Sequence, residues 1–348
     1  METIKVRNVH DALLRGIDLF RAGDVHAQDS RAGATLEVEA PVATTYLKPN
    51  ERVLFWEQRD ANPFFHLFEG LWMLAGRQDV EYLSWFNSRM AEFSDDGMTF
   101  NGAYGYRWLF NFEKNQLDII ARRLAKDPHD RRCVLAIWDC TKDLDRQTLD
   151  TPCNTHIYFK VRGGKLNMTV CCRSNDMIWG AYGANAVHFS MLQEYMAAKI
   201  GVPLGTYTQI SDSFHVYKDI YEKLEERMPP LDYYEWKYTR HNPYEELKPY
   251  PMVQNIEEWD MDLIKFMELG EYGQGETTFN NDYFKHVAVP MLVAWNHHKL
   301  NKDTDLAIAI LKDECFAEDW SEAGVDWLLR RKQNKEELKD TEAIIGKT

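Results

Sequence analysis

The sequence predicts an α+β fold in which a mixed or mostly antiparallel sheet is flanked by long helices. Two observations carry this prediction. Long segments repeat apolar residues at helical spacing, and between them two strand-like runs are joined by the turn Arg162-Gly163-Gly164. No internal repeat or low-complexity linker divides the 348 residues. A single domain over residues 1–348 is therefore favoured.

The first elements lie in the N-terminal quarter of the chain. Its opening twenty residues have an amphipathic helix or strand-then-helix pattern. Residues 62–76, NPFFHLFEGLWMLAG, predict a helix with Pro63 near its start and Gly76 as its C-cap. Glu69 lies inside the apolar stripe of this helix. It is either an edge residue that reaches water or a buried carboxyl with a raised pKa, placed for proton transfer.

The central and C-terminal elements follow in order. Residues 132–138, RCVLAIW, predict a buried strand, and HIYFKV and KLNMTVCC predict a hairpin around the Gly-Gly turn. Residues 186–200 give the strongest helix pattern, ended by Gly201. Near the C-terminus, DWSEAGVDWLLRRKQNKEELKD predicts an amphipathic helix that fades into a charged tail.

Composition excludes several classes of function. The formal net charge of −14 disfavours binding to a nucleic-acid polymer, although a few arginines in one pocket could still bind a small anion. The sequence contains no run of about eighteen apolar residues, so no membrane span is expected. Six cysteines without a CxxC pair or a secretion signal indicate free thiols in a reducing cytoplasm. The adjacent His297 and His298 lack further ligands at useful spacing, so no metal site is expected.

Four arginines and one serine suggest a phosphate site. Arg31 lies in the small-residue loop SRAGAT, Arg131 and Arg132 precede the predicted strand, and Arg173 with Ser174 follows the hairpin. Each arginine alone is typical of a solvated surface charge. Together, in so acidic a chain, they predict a cradle that binds phosphate oxygens bidentately.

Cys153 is the candidate nucleophile. It follows Thr151-Pro152 at a turn before a strand, which predicts a rigid, accessible thiol. A cationic neighbour such as Arg173 would lower its pKa and favour the reactive thiolate. The alternative is a cysteine that only fills space.

Several blocks now resemble the thymidylate synthase family. They are PCNTHIYFKV, CRSNDMIWGAYGANAVHF and SDSFHVYKD, preceded by SRAGAT, EGLWMLAG, FNGAYGYRW and DPHDRRCVLAIWD. The blocks follow the family's order from about residue 31 to residue 217. The resemblance implies a thymidylate synthase-like fold, with a divergent helical region after about residue 220.

The resemblance also implies a reaction: one-carbon transfer from 5,10-methylenetetrahydrofolate to C5 of a pyrimidine nucleoside 5′-monophosphate, in nucleotide biosynthesis that can lead to modified DNA bases. Cys153 would add to C6 of the base, and Glu69 with Tyr104 would manage protons through ordered water. Asp176 would bind the pterin. The residues that would contact the rest of the nucleotide are Arg31, Arg131, Arg132, Arg173 and Ser174 at the phosphate, and His215 and Tyr217 at the sugar 3′-hydroxyl. Arg131 and Arg132 would come from the partner subunit of an obligate homodimer.

Departures from the family pattern favour hydroxymethylation over methylation. The catalytic cysteine is followed by Asn154 where the family has His, and Asp150 stands where the synthases carry Leu. Met90 replaces a tryptophan that shields the folate, and the chain ends IIGKT instead of in a short apolar tail. Together these changes make the site wetter, so water can intercept the reactive methylene. A divergent synthase that methylates dUMP remains the alternative.

Base choice depends on one position. With a single insertion after Gly180, Asn185 takes the position that reads N3 and O4 of uracil, whereas without it Ala184 would stand there. Asn185 favours dUMP, but a rotated amide could also serve dCMP or CMP. The other functional hypotheses are a catalytically silent nucleotide-binding homologue and a cysteine hydrolase, although no oxyanion motif supports the latter.

Overall fold

The computed structural model describes residues 1–31, 33–228, 242–269 and 278–345, with 334–345 as helical backbone only. Eight strands form one sheet; they are β1 (Glu2–Val6), β2 (Val25–Ser30), β3 (Gly33–Val38), β4 (Val42–Tyr46), β5 (Val134–Ala136), β6 (Asn154–Arg162), β7 (Lys165–Asp176) and β8 (Leu204–Tyr217). The order is β1-β4-β8-β7-β6-β5, with β3 also on β8 and β2 on β3. Because β1–β4 and β7–β8 are parallel and the other pairs antiparallel, the sheet is mixed, as predicted.

The longer helices surround this sheet. They are α1 (Val9–Arg21), α2 (Pro63–Leu74), α3 (Val80–Phe86), α4 (Gln116–Lys126), α5 (Asn185–Ile200), α6 (Lys218–Arg227), α7 (Ile256–Glu268), α8 (Val289–Asn296), α9 (Thr304–Glu314) and α10 (Glu318–Ile345). Shorter helical segments are Glu57–Arg59, Ser88–Phe93, Tyr104–Tyr106, Arg107–Asn111, Cys140–Asp143, Met177–Ala184, Pro243–Glu245, Phe284–Ala288 and His297–Asn301. None of the helices in the described ranges combines the length and apolar character of a membrane span.

The central hairpin forms where the sequence predicts it. Gly163 and Gly164 both have positive φ, 55° and 71°, so a tight turn that suits glycine joins β6 and β7. The predicted strand over 132–138 is shorter, because the amides of Ile137 and Trp138 both bond to the Thr155 carbonyl at 2.9 Å and the ladder ends there. Strand β6 begins at Asn154, the residue immediately after the predicted nucleophile Cys153.

Helix α2 forms for local reasons and carries Glu69 to the site. Asn62 caps its start by accepting from the Phe65 amide at 3.2 Å, and Gly76 ends it with φ of 70°. A side chain at Gly70 would meet Met191 of α5 at 2.3 Å. The glycine therefore lets α2 and α5 approach closely, so that residues of both helices share one buried space.

The helices after residue 242 cover the other side of α2. Phe64 packs on Trp295, with 5.3 Å between ring centroids, and on Trp327 at 5.9 Å. Tyr244 accepts from the Val53 amide at 2.9 Å and donates to Asp319 at 3.0 Å. The helix predicted for the C-terminal segment is present as α10.

Candidate active site

The turn that holds Cys153 is fixed by Arg173 of β7. The Arg173 amide bonds to the Cys153 carbonyl at 2.9 Å, while its side chain donates to Pro152 O at 2.9 Å and Thr151 O at 3.1 Å. Three bonds from one residue thus clamp the Thr-Pro-Cys turn. Cys153 is half-buried at the mouth of the sheet, less accessible than the sequence predicts.

Opposing effects act on the pKa of the Cys153 thiol. Burial raises the pKa of the thiol, Arg173 and Arg31 lower it, and Asp150 raises it. Arg173 therefore acts in the predicted direction, but burial outweighs it and the pKa stands above its usual value. The thiol is protonated at neutral pH in the absence of ligand and needs a proton acceptor to become the nucleophile.

Arg31 joins the site through the segment before Cys153. Its guanidinium donates to Thr148 O at 2.9 Å and Leu149 O at 2.8 Å, and it lowers the pKa of Tyr217 as well as that of Cys153. Arg31 and Arg173 thus converge on the thiol from two elements. They are two of the four arginines that the sequence predicts for the phosphate.

The other predicted arginines lie elsewhere within the chain. Arg131 and Arg132 are exposed before β5, where Arg131 borders a cleft with Lys160 and Arg132 pairs with Asp130 at 3.0 Å. Lys160 is seven residues along β6 from Cys153, roughly 23 Å at 3.3 Å per residue. Arg131 and Arg132 therefore do not reach the thiol of their own subunit.

Glu69 is a buried acid beside a buried histidine. Burial, with a contribution from Asp150, raises the pKa of Glu69 to about 8, and burial lowers the pKa of His188 to about 3. Glu69 Oε2 and His188 Nε2 are 3.2 Å apart, and among the described residues neither atom has a well-formed hydrogen bond. At neutral pH the pair is an uncharged carboxylic acid and a neutral imidazole. The buried interpretation of Glu69 is the one that the structure supports.

Asp150 is the second carboxyl of the site. Its Oδ2 accepts from the Gly102 amide at 2.7 Å, and a side chain at position 102 would lie 2.7 Å from Oδ1. Burial raises the pKa of Asp150, while the Gly102 bond and Arg107 lower it. The glycine of FNGAYGYRW therefore makes room for a carboxylate close enough to act on both Glu69 and Cys153.

Tyr104 and Asn154 stand next to the thiol. Burial raises the pKa of the Tyr104 phenol well above its usual value, the thiols of Cys153 and Cys172 add to this, and interaction with Asn154 partly offsets it. Asn154 is completely buried, and its Oδ1 has no hydrogen bond among the described residues. The site thus contains a neutral phenol and an available amide oxygen.

Asn185, not Ala184, is the residue that meets Asn154. Asn154 Nδ2 donates to Asn185 Oδ1 at 3.2 Å. Tyr182 and Gly183 have non-helical backbone and precede the start of α5 at Asn185. The single-insertion alignment is therefore the one that brings an amide to the site.

The predicted folate and sugar residues lie beside one another on β7 and β8. Asp176 is paired in register with His215, and burial raises its pKa while His215 and Arg59 lower it. The His215 ring packs edge-on to Tyr217, with 5.9 Å between centroids. Asp176, Cys153 and Arg31 all act on the pKa of Tyr217, so the sugar and folate residues border the same space as the thiol.

This part of the site offers a folate one hydrogen-bond acceptor and one aromatic ring. Asp176 Oδ1 accepts from the Trp179 amide at 2.5 Å, but Asp176 Oδ2 is buried without a partner among the described residues. The Trp179 ring is 47% exposed, and the buried Arg59 lies 4.4 Å above it. An orphaned carboxylate oxygen beside an exposed aromatic face fits a pterin, which offers N–H donors and a flat ring.

Met90 is a predicted site residue that these contacts do not include. Met90 lies half-buried in the turn Ser88–Phe93 and packs on the core, and no hydrogen bond or charge of the described residues links it to Cys153. Sequence reasoning missed Arg59, and it considered His188 only as a possible hydrolase base. The available signal for His188 was its place three residues after Asn185, on the same helix.

Comparison with known proteins agrees with this geometry. A profile described as Thymidylate synthase matches residues 52–273, the segment that supplies most of the site. The chain belongs to the thymidylate synthase family. It is therefore a one-carbon transferase, as predicted from Cys153 and the motifs around it.

The chain is similar to proteins of two different names. The chain is 45% identical over 345 residues to the deoxyuridylate hydroxymethyltransferase of Pseudomonas phage M6, covering 95% of each chain. It is 41% identical over 214 residues to the protein of that name from Bacillus phage SP01, covering 58% of this chain and 55% of the other. A putative thymidylate synthase of Methanothermobacter thermautotrophicus is 29% identical over 229 residues, covering 64% and 97%.

Proposed function

We propose that this protein is a deoxyuridylate hydroxymethyltransferase, which transfers a one-carbon unit from 5,10-methylenetetrahydrofolate to C5 of dUMP and completes the reaction with water. The observation that carries the proposal is the pair of partly buried carboxyls, Glu69 and Asp150, in which Asp150 acts on the pKa of both Glu69 and Cys153 and stands at the position where synthases carry Leu. The phage M6 relative, similar over almost the whole chain, supports the same product.

The protein would bind the nucleotide through its phosphate and place C6 of the base for attack by Cys153. Arg31, Arg173 and Ser174 bind the phosphate, and the Cys153 thiol loses its proton to ordered water as Sγ adds to C6. Electrons then move through C5 and C4 to O4, which Glu69 stabilises by donating its proton through water. A carboxylic acid with a pKa near 8 keeps that proton at neutral pH. C5 thereby becomes the nucleophilic carbon.

The folate fits the opposite side of the base. Asp176 Oδ2 would accept from a pterin N–H, and Trp179 would cover one face of the ring. When bound, methylenetetrahydrofolate supplies the carbon at the oxidation state of formaldehyde. A water ordered by Tyr104 would take the C5 proton, and cleavage of the carbon–nitrogen bond to the folate would release tetrahydrofolate and leave an exocyclic methylene on the base attached to Cys153.

Water completes the reaction at this methylene. Its oxygen bonds to the exocyclic carbon, its proton passes to Asp150, and the electron pair moves through C5 to O4. Loss of Cys153 from C6 then restores the C5–C6 double bond and releases the thiolate. Asp150 and the available Oδ1 of Asn154 make the site polar at the stage where a synthase excludes water.

A homodimer would complete the phosphate site. Arg131 and Arg132 are exposed and too distant to serve their own Cys153. The outer face of the sheet presents the in-register row Tyr158, Thr169, Thr208 and Thr45, whose side chains are partly exposed. If subunits exchange these arginines, mixing inactive Cys153→Ala and Arg131→Ala proteins restores activity in the mixed dimer. Inactivity of the mixture, with dimers formed, would contradict this part of the proposal.

Product analysis tests the function directly. Purified protein is incubated with methylenetetrahydrofolate and dUMP, dCMP or CMP, and the products are identified by mass, with Cys153→Ala as the control. We expect 5-hydroxymethyl-dUMP and tetrahydrofolate. A methylated base with dihydrofolate would make the protein a divergent synthase, and nucleotide binding without turnover would make it a silent homologue.

A further inference from the structure

Four buried amides form a continuous hydrogen-bonded row behind the base site. Asn154 donates to Asn185 at 3.2 Å, Asn185 Nδ2 donates to Asn175 Oδ1 at 3.0 Å, and Asn175 Nδ2 donates to Gln209 Oε1 at 3.3 Å and Ser211 Oγ at 2.9 Å. All four amides are at most 8% exposed. We call Asn154, Asn185, Asn175 and Gln209 the amide row.

The direction of the amide row is set by the main chain. Gln209 Nε2 lies 2.7 Å from the Ala181 carbonyl, which can only accept, so the amino group of Gln209 must face it. Gln209 Oε1 then faces Asn175, which must donate to it. The same reasoning turns Asn175 Oδ1 towards Asn185 and Asn185 Oδ1 towards Asn154. An orientation that is ambiguous for one isolated amide is thereby fixed for four.

Turning Asn185 over would break both of its contacts at once. Its amino group would face the amino group of Asn154, and its carbonyl oxygen would face Asn175 Oδ1. Two mismatched contacts in a buried site are strongly disfavoured. Gly180 supports the arrangement, since a side chain there would lie 2.5 Å from Asn175 Oδ1 and 3.3 Å from Asn185 Nδ2.

We propose that Asn154, Asn175 and Gln209 are positioning residues that lock the amide of Asn185 and thereby set the choice between uracil and cytosine. Uracil presents N3–H and O4, whereas cytosine presents N3 as an acceptor and N4–H as a donor. A freely turning amide complements both bases, but a locked one complements only one of them. The inference rests on the proposed function for the role of Asn185, and its preferred base is uracil.

Binding of nucleotide alone tests the lock without folate. Dissociation constants for dUMP and dCMP are measured by calorimetry on full-length wild type, Asn154→Leu and Asn175→Leu. We expect the preference for dUMP to fall roughly five- to tenfold in each variant, since one orienting hydrogen bond is lost. The matched control is Gln193→Leu. Gln193 is a buried amide that donates to Leu166 O and Thr206 O outside the row, so its loss leaves the ratio unchanged.

The outcomes separate this inference from the proposed function. If the leucine variants do not fold, Asn154→Ser and Asn175→Ser replace them, because a hydroxyl can donate or accept and imposes no direction. A wild type that prefers dCMP, with variants that lose the preference, would support the lock and overturn the choice of dUMP. Folded variants that keep the wild-type ratio would overturn the lock and leave the proposed function standing.

Discussion

Two buried helical carboxyls, Glu69 and Asp262, show how differently the two sides of the molecule use the same group. Asp262 of α7 accepts from the amides of Asn280 at 2.5 Å and Asn281 at 2.7 Å, and it pairs with Lys265 at 2.9 Å. Glu69 of α2 has an oxygen without a hydrogen bond and faces a neutral histidine. Asp262 is fully used by the fold, whereas Glu69 is left available for a reaction.

The same contrast extends to other polar groups. In the C-terminal helices, Asp319 is bonded to Tyr244, which in turn holds the Val53 amide. At the sheet end, Asp176 Oδ2 and Asn154 Oδ1 are buried without partners among the described residues. Buried polar atoms without a protein partner cost stability, so Asp176 Oδ2 and Asn154 Oδ1 are available to ligand or water at the sheet end.

The largest effect should come from Glu69→Gln. The amide keeps the size and a hydrogen-bond donor but cannot transfer a proton, so we expect kcat to fall about 10²- to 10⁴-fold. Nucleotide binding measured by calorimetry should change little. Retention of near wild-type kcat would show that Glu69 is a structural residue like Asp262.

The same variant should be more stable above neutral pH. The unfolded chain loses the Glu69 proton near the ordinary value of 4.5, whereas the folded protein keeps it until about 8. Native protein therefore holds the extra proton, and stability falls as pH rises through this window, by roughly 3 to 5 kcal/mol. Gln has no proton to lose. In urea titrations, the variant and wild type should be similar near pH 5 and should diverge, with the variant more stable, towards pH 8.

Asp262→Ala should lower the stability of the protein and leave its activity unchanged, the opposite of what we expect for Glu69→Gln. Removal of the carboxylate leaves two backbone amides unsatisfied, and we expect a loss of roughly 2 to 5 kcal/mol in the free energy of unfolding. Activity per folded molecule should be unchanged below the melting range. Asp260→Ala is the control on the same helix, since Asp260 interacts with Lys199 and Tyr195 at a partly exposed position and holds no backbone amide in the way that Asp262 does. A selective loss of kcat in Asp262→Ala would mean that the C-terminal helices act on the reaction.

Local patterns were sufficient for several secondary-structure elements. The Gly163-Gly164 turn and the capped helix α2 each depend on neighbours in sequence, and the predictions for both were confirmed, whereas the segment that holds Cys153 is also fixed by Arg173 of β7. The contacts that tune the site depend on elements far apart in the chain. His188 meets Glu69 only because Gly70 lets α5 approach α2, and no spacing within either segment reports that contact.

The amide row shows the same limit. Asn175 and Gln209 are unremarkable in the sequence, one within CRSND and the other in β8. Their side chains align only because β7 and β8 are parallel neighbours in a fixed register, with Val170 opposite Gln209 and Asn175 opposite Phe214. The sequence could therefore predict Asn185 as the base-reading residue but could not decide which way its amide points.

The smallest expected effect is a shift in the pKa of Glu69 in the variant Asp150→Asn. It tests whether the two carboxyls of the site act together. Asp150→Asn keeps an oxygen to accept from Gly102 but removes the negative charge that helps to raise the pKa of Glu69. Ionisation of Glu69 then becomes easier, so its pKa should fall from about 8. Infrared titration measures this through the carboxylic acid C=O band, assigned by its loss in Glu69→Gln. The band should disappear at lower pH in Asp150→Asn but not in Asp145→Asn, an exposed neighbour. An unchanged titration would mean that burial alone sets the acidity of Glu69, and that Asp150 acts on water independently of it.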